Sequence, residues 1–137
     1  MNKIKYDSNL IKLIILFESM TGAKVKDCIA NEKLIFIIEE GEMGKAIGKN
    51  GINIKRVEKM LKRKIKLVEF SNNILEFVKN TVYPIEILDV NMENGIIMIH
   101  GRDSVTKSIL IGRERQNINH LTDIVKRYFD VKEIRVL

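Results

Sequence analysis

Apolar residues along this chain fall into helix-spaced and strand-like stretches, and the order of those stretches occurs twice. Between Ser8 and Met20 they stand at Leu10, Ile11, Leu13, Ile14, Leu16 and Phe17, the three-to-four spacing of one helix face. Ser8 suits the N-cap of this helix and Gly22 its stop. Short apolar runs over 25–30 and 34–39 read as strands joined by a turn at Asn31-Glu32-Lys33. A short helical piece over 43–47 then leads through Gly48-Lys49-Asn50-Gly51 into a helix over about 52–63. In that helix Ile54, Val57, Met60 and Leu61 mark an apolar face opposite a row of cations. The stretch 65–70 closes the unit as a strand.

The second half follows the same order. A helix over 73–82 ends at Tyr83-Pro84, and strands over 85–91 and 96–101 turn at Asn94-Gly95, a favoured pair for a tight hairpin. Asp103 can cap a helix reaching Ile111, Gly112-Arg113-Glu114-Arg115 interrupts it, a helix resumes to about residue 129, and 131–136 is the last strand. One constant shift lays Ile47-Gly48 on Ile111-Gly112, Asn53-Ile54 on Asn117-Ile118, Val57 on Leu121, Met60 on Ile124, Leu61 on Val125 and Ile65 on Phe129. Core positions are thus expected to match throughout. The pattern predicts an α+β chain of two small domains, 1–71 and 72–137. No Gly- or Pro-rich linker separates them, so rigid packing is expected.

Composition and charge sharpen this picture. With 137 residues, 45% hydrophobic and 31% charged, the chain has a globular composition. The net charge of +6 is not spread evenly. Lys45, Lys49, Lys55, Arg56, Lys59, Lys62, Arg63, Lys64 and Lys66 stand within residues 44–66 against one acid, Glu58. A one-sign window beside a glycine loop asks for an anionic partner. The longest apolar run, Leu13-Ile14-Ile15-Leu16-Phe17, is far short of the roughly 20 residues of a membrane span. Met1-Asn2-Lys3-Ile4-Lys5 shows no apolar leader. An intracellular protein is expected.

The chemistry is concentrated in Ile47-Gly48-Lys49-Asn50-Gly51-Ile52-Asn53-Ile54-Lys55-Arg56. Two glycines three apart between helices permit a sharp turn with no Cβ in the way. Backbone N–H groups and a helix N-terminus can then approach phosphate oxygens. Lys49 brings charge to the loop tip and Asn50 a neutral polar contact. With a hairpin before and a strand after, this GxxG loop resembles that of a KH domain. KH domains bind RNA or single-stranded DNA, and the loop clamps about four nucleotides by their backbone. The hairpin ahead of the two helices suggests the type II arrangement. Two such units without a preceding barrel, with Glu76-Phe77-Val78-Lys79-Asn80 and then Pro84 at the junction, resemble the archaeal NusA-like family of transcription termination and antitermination factors. The likeness spans about 10–136.

That resemblance implies two tandem type II KH-like domains, each a small mixed three-stranded sheet covered by helices. It implies a non-enzymatic protein of the cytoplasm, taken as a monomer, that needs no cofactor. The expected partners are single-stranded RNA and RNA polymerase or its elongation complex. The RNA contacts would come from Gly48, Lys49, Asn50 and Gly51, from Lys55, Arg56 and Lys59 on the charged helix, and from Ile47, Ile52 and Ile54 in an apolar groove beside the loop. The second loop departs from the pattern: Gly112 is kept, Arg115 replaces the second glycine, and Glu114 stands at the tip. Gly112, Arg113 and Arg115 form either an altered second RNA contact or part of a purely structural repeat. Arg115 is expected to fit a glycine turn poorly.

Other chemistries find little support. Neither Gly44-Lys45 nor Gly48-Lys49 has the upstream glycine and following Ser/Thr of a nucleotide-hydrolysing phosphate loop. Cys28, His100 and His120 are scattered, which suits neither zinc nor nucleophilic catalysis. Cys28 reads as a core thiol, His100 as a satisfied strand-end residue, and His120 as a polar-face residue matching Arg56. Two other roles stay open: a factor in ribosome assembly or RNA processing, and the RNA-delivering subunit of a nuclease complex.

Overall fold

The computed structural model describes Ser8–Leu137. The reading of Met1-Asn2-Lys3-Ile4-Lys5, and the first domain's start at residue 1, lie outside the described residues. The chain divides into two compact units, one ending at Ser71 and the other beginning at Asn72.

The first unit runs α1 (Ser8–Thr21), β1 (Val25–Ala30), β2 (Leu34–Ile38), α2 (Met43–Ile47), α3 (Ile52–Leu61) and β3 (Ile65–Glu69). Ser8 is itself helical and not the cap. α1 stops where Gly22, at φ 76°, returns its N–H to the Glu18 carbonyl at 2.8 Å, the left-handed closure that glycine adopts most cheaply. β1 and β2 pair antiparallel with a bulge between Val25 and Asp27, and β2 and β3 pair parallel with Leu34 opposite Ile65. The resulting sheet has the order β1-β2-β3. Side chains alternate across a strand, so Leu34, Phe36 and Ile38 share one face. There they form a core with Phe17, Cys28, Ala46 and Val57, all buried. Phe17 stacks on Phe36 with ring centroids 4.4 Å apart, worth about 0.5–1.5 kcal/mol beyond the area buried.

α3 is shorter than its apolar pattern predicts. Lys62 adopts a left-handed conformation (φ 56°, ψ 37°) and turns its N–H back to the Glu58 carbonyl. The helix closes at Leu61, and Ile65 is free to enter the sheet. Met60, expected on the apolar face, is 60% exposed. It sits about 60° round the helix from Val57, on the side away from Ile54 and Leu61. Ile11 in α1, also expected on the apolar stripe, is 44% exposed, about 120° round from Phe17.

The second unit runs α4 (Ile74–Val82), β4 (Ile87–Glu93), β5 (Ile96–Gly101), α5 (Ser104–Ile111), α6 (Gln116–Lys126) and β6 (Glu133–Val136). Asn73 Oδ1 caps α4 by accepting from Leu75 N–H at 3.0 Å and Glu76 N–H at 3.2 Å. β4 starts at Ile87, later than expected, because Ile85 N–H bonds the Val82 carbonyl in a turn leaving the helix. The hairpin turn has Asn94 at φ 53° and Gly95 at φ 80°, as a primed turn requires. β5 pairs antiparallel with β4 and parallel with β6. α6 ends at Lys126, before the expected 129. Tyr128 and Phe129 leave the helix to pack on Phe77, with ring centroids 5.5 and 5.7 Å away.

The repeat is real, but its register drifts. The shift that lays Gly48 on Gly112 holds over the two short helices and the loop between them. Ahead of the loop the step is shorter: the α1 bond from Thr21 Oγ1 to the Phe17 carbonyl recurs in α4 from Thr81 to Phe77. The bulged pair Val25–Ile38 recurs as Ile87–Gly101. That makes Phe36 the counterpart of Ile99. Leu67, opposite Phe36, then corresponds to Val136, opposite Ile99, so after the loop the step is longer. Ile65 therefore does not correspond to Phe129. Met60 does not share a core role with Ile124, which is 5% exposed.

Candidate nucleic-acid interface

The loop between α2 and α3 is set by two residues, of which only one stood out in the sequence. Gly48 sits at φ 75°, ψ 171°, a region open essentially to glycine alone. A Cβ there would stand 2.8 Å from Asn53 Cγ and Nδ2. Asn53 fills that space because its Nδ2 donates to the Lys45 carbonyl at 2.7 Å, which ties the start of α3 to α2. Asn50 (φ 56°, ψ 25°) and Gly51 (φ 75°, ψ 18°) are both left-handed, and Gly51 N–H closes on the Gly48 carbonyl at 3.1 Å. Lys55 Nζ reaches back to the Asn50 carbonyl at 3.3 Å. The Lys49 and Asn50 amides have no acceptor among the described residues. The signal for Asn53 was present in the sequence, since asparagine recurs at 117 after the same interval from Gly112.

An open cleft of about 430 Å³ lies beside this loop, lined by Lys49, Asn50, Ile52, Lys55, Arg56 and Lys59. These are six of the ten residues singled out from the sequence. Ile47 and Ile52 are 39% and 52% exposed. Ile54 is half-buried on the inner side of α3, with Cγ2 3.8 Å from where a Cβ on Gly51 would stand. Gly48 and Gly51 contribute backbone.

The nine cations of the charged window part company in the fold. Lys45 pairs with Glu42 at 3.5 Å, and Lys64 lies 4.0 Å from Glu58. Lys66 stands half-buried on β3, where burial first and the nearby Lys33 second push its pKa down. Lys49, Lys55, Arg56, Lys59, Lys62 and Arg63 remain exposed and form no ion pair among the described residues. Glu58, the one acid of the window, accepts the Ile65 N–H at 3.0 Å where the chain enters β3.

The second loop keeps the backbone of the first. Gly112 lies at φ 76°, ψ 171°, Glu114 at φ 54°, ψ 32°, and Arg115 at φ 62°, ψ 21°. Arg115 N–H closes on the Gly112 carbonyl at 3.2 Å, and Asn117 Nδ2 donates to the Ile109 carbonyl at 2.7 Å. Arg115 thus adopts the same left-handed turn as Gly51, a region that costs a non-glycine residue about 1–2 kcal/mol. The surrounding charge does change. Asn119, His120 and Asp123 stand where Lys55, Arg56 and Lys59 stand in the first unit, and Arg113, Glu114 and Arg115 are exposed. Of the remaining candidates, Cys28 is buried, His120 is half-buried, and His100 Nε2 lies 2.9 Å from Asn91 Oδ1.

A helix, an antiparallel hairpin, two short helices joined by a glycine loop, and a third strand parallel to the second make a KH unit. This protein has two of them in tandem. The KH domain family model matches residues 13–80. A protein of Methanococcus vannielii named "Probable transcription termination protein NusA" is 37% identical over 98% of this chain and 80% of its own length. Its namesake in Thermoplasma acidophilum is 30% identical over 99% of this chain and 97% of its own. The crystal structure of APE1850 matches with a TM-score of 0.74 at 29% identity, covering 96% of this chain and all of its own. The chain belongs to the archaeal NusA family.

Proposed function

We propose that this protein binds single-stranded RNA in transcription termination, gripping the RNA backbone with the loop Gly48–Gly51 of its first unit. The observation that carries this reading is the set of exposed, unpaired cations around the cleft beside that loop. Phosphates drawn to them would meet the free Lys49 and Asn50 amides at the start of α3. Lys55, Arg56 and Lys59 would hold the neighbouring phosphates, while Ile47 and Ile52 offer apolar contact to bases or sugars. The names of the relatives support a role in termination, and RNA polymerase or its elongation complex is the partner such a role requires. Gly112, Arg113 and Arg115 make a weaker contact, since the helix behind them has Asn119, His120 and Asp123 where the first unit has Lys55, Arg56 and Lys59.

The test replaces Lys49 and Asn50 together by Asp. Both positions are exposed, both glycines stay, and aspartate tolerates the left-handed backbone of Asn50. Stability should move by less than about 1 kcal/mol. RNA affinity should fall at least about tenfold, equivalent to about 1.4 kcal/mol, because two carboxylates would then face the phosphates. Thermal melts and RNA titrations on one preparation measure both. Unchanged affinity with an unchanged melt would make this loop scaffold. Copurification with RNA polymerase supports the termination role, whereas copurification with pre-ribosomal particles or a nuclease would reassign it.

A further inference from the structure

Two of the six unpaired cations, Lys62 and Arg63, lie beyond those the proposed loop grip uses, and Lys59 is the outermost of those that line the cleft. Lys59 lies in the last turn of α3, and Lys62 and Arg63 follow directly, all exposed and without an ion pair among the described residues. Within the helix, Lys55 and Lys59 are spaced i, i+4 and Arg56 and Lys59 i, i+3, so these three share one side, and Lys62 and Arg63 follow where the helix closes. Lys55 and Lys59 are roughly 6 Å apart along the axis. The left-handed turn at Lys62 leaves the helix end open to solvent. Met60, 60% exposed, gives the row an apolar shoulder, and Glu58, the single acid of the segment, is engaged with the Ile65 amide. Cations at a helix C-terminus also favour the helix dipole, but that benefit is confined to the helix end and does not depend on any ligand.

We infer that the C-terminal end of α3 is a second phosphate-contact region, through which the RNA held at the loop continues along Lys59, Lys62 and Arg63. The occupant is single-stranded RNA longer than the loop itself grips, drawn by charge complementarity to a stripe in which cations outnumber the one acid, Glu58. The inference rests on the proposed loop site, and the experiment separates the two.

Oligouridines of four and twelve nucleotides are titrated against the full chain and against a Lys62→Asn, Arg63→Gln variant. Asparagine accepts the left-handed backbone at 62, so the helix closure is kept. For the unaltered chain, the 12-mer should show a salt slope steeper than the 4-mer's by about 1.4, the value for two additional single-strand phosphate contacts. The variant should bind the 12-mer at least fivefold more weakly, with that extra slope gone, and bind the 4-mer within twofold of the unaltered chain. Equal loss on both lengths, or no loss on either, overturns the inference. So does a lowered melting temperature with RNA affinity unmoved, which would assign these cations to the helix end or to an acidic protein partner. Failure of the unaltered chain to bind either oligomer would instead refute the loop site itself.

Discussion

The two glycines of the loop motif make unequal demands on the backbone. Gly48 combines φ 75° with ψ 171° and has Asn53 packed where a Cβ would go. Gly51 lies in the ordinary left-handed region, with nothing closer than 3.6 Å to its missing Cβ. Gly48→Ala should therefore cost about 1–3 kcal/mol from backbone strain, and more where Asn53 is driven off the Lys45 carbonyl. Gly51→Arg, which copies Arg115 of the second unit, should cost about 1 kcal/mol and leave the loop's shape intact. Chemical denaturation of the two variants compares them directly. Equal losses would show that the loop backbone is not as rigid as the Asn53 bond implies.

At the scale of elements, the helix ends respond to pH through their caps. The Asp103 carboxylate accepts the Thr106 N–H at 2.7 Å, with Arg102 Nε 3.7 Å from its other oxygen. The Thr106 bond first, and Arg102 after it, hold the Asp103 pKa below the ordinary aspartate range. A pKa lowered by folding means that the cap's contribution is fully present above the unfolded value of about 3.9. It is lost as the pH falls through Asp103's own lower value. Asp103→Asn keeps an acceptor that does not titrate over that interval. Denaturation of the two proteins between pH 6 and roughly pH 2 should show the unaltered chain losing stability relative to the variant as acid is added. Parallel curves would mean that the cap's charge adds nothing to its hydrogen bond.

For the whole molecule, the duplicated loop backbone and the unduplicated charge make opposite predictions about where RNA binds. Backbone alone would make the loops equal, whereas charge assigns the grip to the first unit. Coulomb attraction and counterion release scale with the cations present, so charge should win. In the full chain, Arg113→Gln with Arg115→Asn should weaken RNA binding less than threefold. The loop variant at Lys49 and Asn50 should weaken it at least about tenfold. A grip on two to four phosphates also sets a salt slope of roughly −1.5 to −3 for a short single strand. A slope near zero, or preference for a duplex, would refute a KH-type contact, and a larger loss from the second loop would place the grip there.

The amino-acid sequence by itself determined the element order, the hairpin at Asn94-Gly95, the cap at Asp103 and the glycine loop, because each depends on residues near one another in the chain. Comparing the two halves at one constant shift also found the duplicated helices and loop. Contacts distant in sequence decided the rest. The chain leaves α6 early because Tyr128 and Phe129 find Phe77, far back in the chain at the start of the unit. The last strands align Leu67 with Val136, out of step with the loops, because pairing with the hairpin sets their register. Asn53 looked like one more polar helix residue until the Lys45 carbonyl and the empty face of Gly48 met it in space. Nine cations formed a single run in the sequence, and only the fold separated six that face solvent unpaired from three that do not. A side chain's role in binding depends on its neighbours across the fold, and spacing along the chain does not report them.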